Sequence, residues 1–200
     1  MTTAAKIYFT DFFEVVPEVL EDYGALNISL INDLPLFVDP FLLFDSEEIE
    51  HQRLHDEIIC YVKFLRDISC DPSISKGLLD SWFRFPEVSQ NWLGFSKTGN
   101  NGSGLGKQFA GALHRNLHQV FKDFGSETIS RGSHLEKLCL LADGVGRDHL
   151  SDFTTNLIKQ YLLDYTQTFA KTHIASSFRR NFAVEKVAFD RAGFAYHGRV

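Results

Sequence analysis

The sequence predicts an α+β domain with a predominantly helical middle and a small sheet from N- and C-terminal strands. Apolar residues recur at helical spacing through the middle of the chain. Alternating apolar residues occur near both ends, in residues 25–31 and 182–200. The 200 residues are 44% hydrophobic and include 19 Phe, which is enough apolar material for a sizeable core. We therefore expect residues 1–200 to form a single domain.

The N-terminal quarter predicts a helix and a strand. The segment TDFFEVVPEVLEDYG is typical of a helix that is interrupted or begun near Pro17 and ended at Gly24. The segment ALNISLI, residues 25–31, then alternates as a strand does. Pro35 and Pro40 exclude a long central strand after it, so a short extended segment with a turn at Pro40 is expected.

Helices fill the middle of the chain. Asp45 and Glu48 predict a capping box for a helix over residues 46–69. The apolar stripe of this helix comprises Ile49, Leu54, Ile58, Val62 and Leu65. Further helices are predicted over residues 75–83, 105–124, 133–142 and 150–172.

The chain ends in a predicted hairpin. The segment VEKVAFDRAGFAYHGRV is typical of a strand, a turn at 190–193 and a second strand that stops at Val200 without a closing signal. We therefore expect the domain to be the N-terminal part of a longer chain.

Several protein classes are disfavoured by simple patterns. No segment has the 18 to 20 consecutive apolar residues of a membrane span, and the N-terminus lacks the pattern of a signal peptide. Cys60, Cys70 and Cys139 are odd in number and form no CxxC pair, which argues against a disulfide framework or a thiolate zinc cluster. The sequence thus predicts a cytoplasmic protein with no membrane partner.

The net charge of -6 is unevenly distributed. Residues 1–60 carry 13 acidic residues against Lys6 and Arg53, for a net -11. Residues 171–200 carry six basic residues against Glu185 and Asp190, for a net +4. This balance disfavours strong nonspecific nucleic-acid binding, although a local basic patch leaves nucleic acid open as a partner.

A glycine-rich loop, GNNGSGLGKQF, is a candidate phosphate-binding element. Backbone amides of such a loop and of the helix after it attract anions. The P-loop and dinucleotide patterns both fail in it, so a surface loop is the alternative. The candidate phosphate-binding residues are Lys97, Gly102, Gly104, Gly106 and Lys107.

Two histidine pairs have the spacing of metal ligands on a helix. His51 with His55, and His114 with His118, stand four residues apart and share a helix face. The Glu of an HExxH motif is absent from both, which favours an ordinary helix surface over a zinc site.

The carboxylates around residues 136–152 are the leading candidates for chemistry. Asp148 or Ser151 can cap the helix that follows, and Asp152 in its first turn would complement the helix dipole. Neither role requires Asp143 and Glu136. We therefore hypothesise a Mg²⁺ or Mn²⁺ site with Asp143, Asp148 and Asp152 as ligands and Glu136 as a fourth ligand or general base.

Phosphodiester cleavage is the reaction that such a site would support most directly, because the metal activates water and stabilises charge on the phosphate. A nuclease of the PD-(D/E)xK type would carry E-x-K on a strand. The nearest segment, VEKV, has Glu185 and Lys186 adjacent and on opposite faces, so this pattern is broken. No GxSxG motif or recognisable cysteine nucleophile favours another hydrolase.

The segment DGVGRDHLSDFTTNLI resembles stretches of uncharacterised bacterial proteins that are associated with phage defence. The resemblance covers residues 136–174. It implies a role against foreign nucleic acid and assigns no catalytic residue.

The alternative function is a noncatalytic protein-binding or scaffold module of a multi-domain or multi-subunit assembly. The acidic first 60 residues favour it, and Trp82, Phe83 and Phe85 in DSWFRFPEV are candidate anchors for a protein partner or a second copy of the chain. Packing in the core is the competing interpretation for these three aromatic residues.

Overall fold

The fold is known from a computed structural model, which describes residues 7–88, 91, 93, 106–122, 135–140 and 145–199. Helices predominate in these ranges, and an antiparallel pair of strands follows them, so the α+β fold class is confirmed. The α-helices are α1 (Phe9–Phe13), α2 (Pro17–Asp22), α3 (Pro40–Phe44), α4 (Ile49–Ile68), α5 (Lys76–Phe83), α6 (Lys107–Val120), α7 (Arg147–Leu157) and α8 (Lys159–His173). Leu135–Leu140 and Ser176–Phe178 form 3-10 turns, and the strands are β1 (Val184–Asp190) and β2 (Ala195–Arg199).

The long helix α4 forms as predicted but begins later. Its N-cap is Glu48, whose side chain makes no capping bond, so the predicted capping box of Asp45 and Glu48 is wrong. The Ser46 hydroxyl accepts the backbone N–H of Glu48, which holds this residue in a turn outside the helix. The predicted stripe is buried except for Ile49, which is 83% exposed at the first helical position.

The predicted helix over residues 150–172 is two helices. α7 starts at Arg147, where the backbone N–H of Gly146 donates to His149 Nδ1. The chain leaves helical geometry at Ile158, with φ -102° and ψ 15°, and resumes it at Lys159. The segment predicted as a helix over 133–142 is described only at Leu135–Leu140, as a 3-10 turn.

The C-terminal hairpin is confirmed. β1 and β2 pair antiparallel, with Phe189 opposite Tyr196 and Asp190 opposite Ala195. The Asp190 carboxylate closes the turn by accepting the N–H groups of Ala192 and Gly193.

The segment predicted as an N-terminal strand makes isolated bridges instead. Ser29 bridges to Tyr8, so both strands of the described sheet come from the C-terminal end. The Ser29 hydroxyl accepts the backbone N–H of Ile31, which a neighbouring strand would otherwise bind, and the Asn27 side chain exchanges two hydrogen bonds with Thr10.

The main core lies between α4, α6 and α7. Its largest fully buried side chains include Phe83, Phe85, Phe121 and Phe153. A smaller cluster joins α2 to the end of α8 and contains Val15, Leu20, Phe169 and Ile174. The carboxyl groups of the candidate site lie on α7, at Asp148 and Asp152, and on two irregular segments, at Asp33 and Glu87.

Candidate functional site

Three of the four predicted carboxylate ligands lie among the described residues, and Asp148 is close enough to Asp152 to act on its pKa. Asp148 lies in the first turn of α7 and is partly buried, whereas Asp152 lies in the second turn and is only 5% exposed. Glu136 is exposed on the 3-10 turn and is absent from the groups that shift the pKa of Asp152. Asp143 lies outside the described residues. The predicted cap at Asp148 or Ser151 and the predicted first-turn position of Asp152 are both wrong, because the N-cap of α7 is Gly146 and the helix begins at Arg147. Asp148 lies in the first turn and is the carboxylate that suits the helix dipole.

Asp152 is the centre of a carboxyl cluster, which we define as Asp33, Glu87, Asp148 and Asp152. Burial raises the pKa of Asp152 to about 8, and the nearby charges of Glu87, Asp148 and Asp33 contribute in that order. Glu87 also forms a side-chain hydrogen bond with Asp152. At neutral pH the Asp152 carboxyl group is therefore mostly protonated, and its O–H group can donate the hydrogen bond to the Glu87 carboxylate.

Sequence reasoning missed Asp33 and Glu87. Glu87 stands in FRFPEV between Phe85 and Val88, both of which are buried. The apolar neighbours of Glu87 mark it as a charge close to the core, but this pattern does not identify its partner.

The rest of α7 carries an unusual run of buried polar side chains. Ser151, Asp152, Thr154, Thr155 and Asn156 are all at least 95% buried. Ser151 Oγ accepts the backbone N–H of Val38, and Asn156 Nδ2 donates to the carbonyl oxygen of Pro86, each at 2.8 Å. Buried backbone outside regular elements needs such partners, so part of this polar run serves packing.

Lys159 continues the polar run at the start of α8. Its side chain is 5% exposed, and burial followed by the charge of Lys186 lowers its pKa to about 8. The Nζ atom of Lys186 donates to the carbonyl oxygens of Asp80 and Ser81, near the end of α5. Lys186 therefore stabilises a helix C-terminus, while Glu185 is exposed, and the two residues show no E-x-K arrangement.

No group of three or more His, Cys, Asp or Glu side chains in the described ranges is arranged to hold a metal ion. The histidine pairs have separate contacts. His51 Nδ1 lies 2.9 Å from Ser46 Oγ, whereas His55 is buried against the Phe44 ring and burial lowers its pKa. His118 Nδ1 lies 3.3 Å from the Cys70 sulfur atom.

The predicted phosphate loop is only partly described. Gly106 is the N-cap of α6, and Lys107 is the first residue of that helix. Both are exposed at the N-terminus of the helix, and their role in phosphate binding stays a prediction. Lys97, Gly102 and Gly104 lie outside the described residues.

The predicted aromatic anchors lie in or against the core. Phe83 and Phe85 are buried, and Trp82 packs against the core with its Nε1 donating to the carbonyl oxygen of Phe194. The alternative interpretation of these residues, core packing, is thus what the structure shows.

Exposed apolar residues occur instead around α3. We define the 36–49 surface as the exposed side chains of Leu36, Phe37, Phe41, Leu42 and Ile49. Leu42 is 66% exposed, and α3 packs against α4 so that this short segment is held on the domain. The acidic residues in and directly after this stretch are Asp39, Asp45, Glu47, Glu48 and Glu50, and all are exposed.

No helix in the part of the chain that the structure describes is long and apolar enough to span a membrane. No curated protein and no solved structure matches the chain. A family described as a domain of unknown function, DUF8370, matches over residues 14–197. Because this match covers nearly the whole chain, from the end of α1 into β2, the chain belongs to that family.

Proposed function

We propose that this domain is a noncatalytic, cytoplasmic protein-binding module of a larger assembly, and that the 36–49 surface is its contact. The observation that carries the proposal is the exposure of five large apolar side chains within one short stretch. Burying one such side chain at an interface is worth about 1.5–3 kcal/mol. Surfaces of this kind in folded proteins are typical of binding sites.

The charges around the 36–49 surface restrict the chemistry of the partner. Asp45, Glu47 and Glu48 form no ion pair with the described residues. The stretch from residue 36 to residue 50 contains no Lys or Arg. Complementary charge at an interface increases association rates and selects partners. The partner surface that fits is therefore apolar at its centre and basic at its rim.

The proposal is tested with a double variant, Leu42→Ser with Ile49→Ser, of the full-length protein. Wild type and variant are purified from their own cells, the proteins that accompany them are quantified, and the recovered partner is reconstituted for a Kd measurement. We expect the double variant to weaken binding at least tenfold, because two exposed apolar contacts are removed. Phe182→Ser, which changes a side chain that is 72% exposed elsewhere, is the matched control and should keep wild-type affinity.

Unchanged partner affinity in the double variant would contradict the proposal. An equal loss in the Phe182→Ser control would also contradict it, since binding would then depend on general surface apolarity. A loss of binding cannot be attributed to unfolding of the variant, because Leu42 and Ile49 are exposed and their replacement leaves the core intact.

A second candidate function is a metal-dependent, nuclease-like phosphodiesterase in anti-phage defence. The observation that favours it is the carboxyl cluster, where Asp148, Glu87 and Asp33 all act on the pKa of Asp152. Carboxyl groups that accumulate in a partly buried place are typical of hard-cation sites as well as of structural clusters. The described residues alone do not fit a metal ion, so this proposal requires Asp143 or a rearrangement.

Calorimetric titration with Mn²⁺ at pH 7 tests this second proposal. Metal binding to the carboxyl cluster should release the proton of Asp152, which gives a buffer-dependent heat. Asp148→Ala should abolish both binding and any Mn²⁺-dependent cleavage of DNA or RNA while leaving the helical signal intact. No saturable heat with the wild-type protein would eliminate this function.

A further inference from the structure

A cleft lies between α4, the start of α8 and the C-terminal hairpin. Its volume is about 470 Å³, which is within the range of small-molecule sites. α4 contributes Arg53 and Glu57 to its walls, α8 contributes Tyr161 and Asp164, and the hairpin contributes Arg191. The residues that line the cleft include none of those that define the 36–49 surface or the carboxyl cluster.

The α4 wall of the cleft keeps a net negative charge. Arg53 forms ion pairs with both Glu50 and Glu57, so one guanidinium group serves two carboxylates. Both glutamate side chains remain about half exposed, at 50% and 47%, and can accept a further hydrogen bond. On the α8 wall, Asp164 is neutralised by Arg199.

The hairpin side of the cleft carries a charge of the opposite sign. Arg191 is exposed in the hairpin turn and makes no hydrogen bond or ion pair with the described residues. Its guanidinium group is therefore available to a carboxylate or phosphate, which it can bind through two parallel hydrogen bonds. The cleft thus presents an uncompensated negative charge on α4 and an uncompensated positive charge on the hairpin.

The lining between these charges suits the body of a small organic molecule. Tyr161 and Phe189 supply aromatic surface, and Gln160 and Asn156 supply amide groups. Asn156 Nδ2 is engaged with the carbonyl oxygens of Pro86 and Asp152, which leaves its side-chain oxygen as an acceptor. Ligand sites commonly combine apolar surface with a few such polar groups.

We propose that this cleft binds a small zwitterionic organic ligand, with its cationic group at Glu50 and Glu57 and its anionic group at Arg191. An ammonium group restores the charge balance of the α4 wall, and a carboxylate gives Arg191 its missing partner. Neither a simple anion nor a simple cation satisfies both walls.

Three analogues of one shape test the proposal: 4-(aminomethyl)benzoate, 4-methylbenzoate and 4-methylbenzylamine. They share the para-substituted ring and differ in which charged groups it carries, so differences in affinity report on the contribution of each charged group. Binding is measured by NMR from the backbone amide shifts of Tyr161, Val187 and Phe189. We expect the zwitterion to bind at least fivefold more tightly than either singly charged analogue.

Two variants assign the charges. Arg191→Gln should reduce the affinity for the zwitterion to that for the amine, and Glu57→Gln should reduce it toward that for the acid. Arg180→Gln is the matched control, because Arg180 is exposed, bonds to the carbonyl oxygens of Ser177 and Arg179, and does not line the cleft. Preserved dispersion of the amide spectrum shows that the variants remain folded.

Equal affinity for all three analogues would overturn the proposal, as would an unchanged affinity in Arg191→Gln. The absence of saturable shifts with 4-(aminomethyl)benzoate at 50 mM would overturn it too. These outcomes are independent of the 36–49 surface, so the cleft proposal can fail while the protein-binding proposal stands.

Discussion

The side chain of Asp152, buried in the second turn of α7, is hydrogen-bonded to the half-buried side chain of Glu87. Two carboxyl groups in contact cannot both be ionised without a large cost, so one proton is retained between them. This relationship makes the stability of the domain depend on pH.

Asp152→Asn should flatten the dependence of stability on pH. The pKa of Asp152 is about 8 in the folded state against 3.8 for an ordinary Asp, so between these values the folded protein holds a proton that the unfolded chain has lost. The wild-type free energy of unfolding therefore falls as pH rises through this window, by up to about 1.4 kcal/mol per pH unit from this group. Urea denaturation at pH 5, 6, 7 and 8 measures the difference between the two proteins.

Asn at position 152 keeps the shape of the protonated carboxyl group but cannot ionise. The free energy of unfolding of the variant should therefore increase relative to that of the wild type as pH rises. The exposed Asp22 provides the control, and Asp22→Asn should follow the wild-type curve. Parallel curves for wild type and Asp152→Asn would mean that Asp152 is ionised in the folded state at neutral pH.

Lys159→Met should stabilise the protein at neutral pH. Burial lowers the pKa of Lys159 from 10.5 to about 8, so the charged amine is unfavourable in the folded state. Replacing a buried charge by an apolar chain of similar length should raise the free energy of unfolding by about 1–3 kcal/mol at pH 7. Above pH 8 the folded amine loses its proton, so the advantage should shrink between pH 8 and pH 10.

Thermal or urea unfolding at pH 7 and pH 9.5 tests this dependence, with the exposed Lys171→Met as the control. A Lys159→Met variant that is less stable than wild type at pH 7 would show that the ammonium group has a favourable partner.

Tyr165→Phe should loosen the attachment of the N-terminal helices. The hydroxyl groups of Tyr23 and Tyr165 each donate to the backbone carbonyl oxygen of the other residue, and their rings are in contact. Loss of one of these bonds should cost about 1 kcal/mol and should accelerate hydrogen exchange in α1 and α2 more than in α4.

Tyr161→Phe is the control for this prediction, because the contact that its hydroxyl makes with His51 among the described residues is long, at 3.4 Å. If both variants exchange at the same rate in α1 and α2, the reciprocal pair does not anchor these helices.

The helical spacing of apolar residues predicted most of the fold, because apolar residues at this spacing form the buried face of a helix. In α4, Leu54, Ile58 and Val62 are spaced as core residues and are buried. Ile49 stands five residues before Leu54, which at 3.6 residues per turn places it about 140° around the helix from the buried stripe, so it should not have been included in that stripe. The break at Ile158 also escaped prediction, since neither Pro nor Gly marks it.

The carboxyl cluster was predicted only in part. Asp148 and Asp152 share a helix, and spacing along that helix placed them together. Asp33 and Glu87 come from irregular segments distant in sequence, whose path depends on bonds such as that between the backbone of Val38 and Ser151. Local sequence patterns carry no information about such contacts.

Reversing charge beside the 36–49 surface should slow association with the partner. Glu47→Lys with Glu48→Lys replaces exposed carboxylates by ammonium groups, which repel a basic rim. The association rate should fall severalfold at low salt, and the difference should narrow at high salt because ions screen these charges. The control is Glu18→Lys with Glu21→Lys on α2, which changes the net charge equally and should reduce the association rate less. Stopped-flow or surface-based kinetics measure both association rates.

Site-specific photo-crosslinking in cells tests the central claim most directly. A photoreactive phenylalanine analogue is placed at Leu42, and a second protein carries it at the exposed Thr172 on α8. If the 36–49 surface is the contact, Leu42 yields one dominant adduct whose crosslinked peptide is apolar with basic neighbours, and Thr172 does not. Equal adducts from both positions, or none from Leu42, would contradict the protein-binding function.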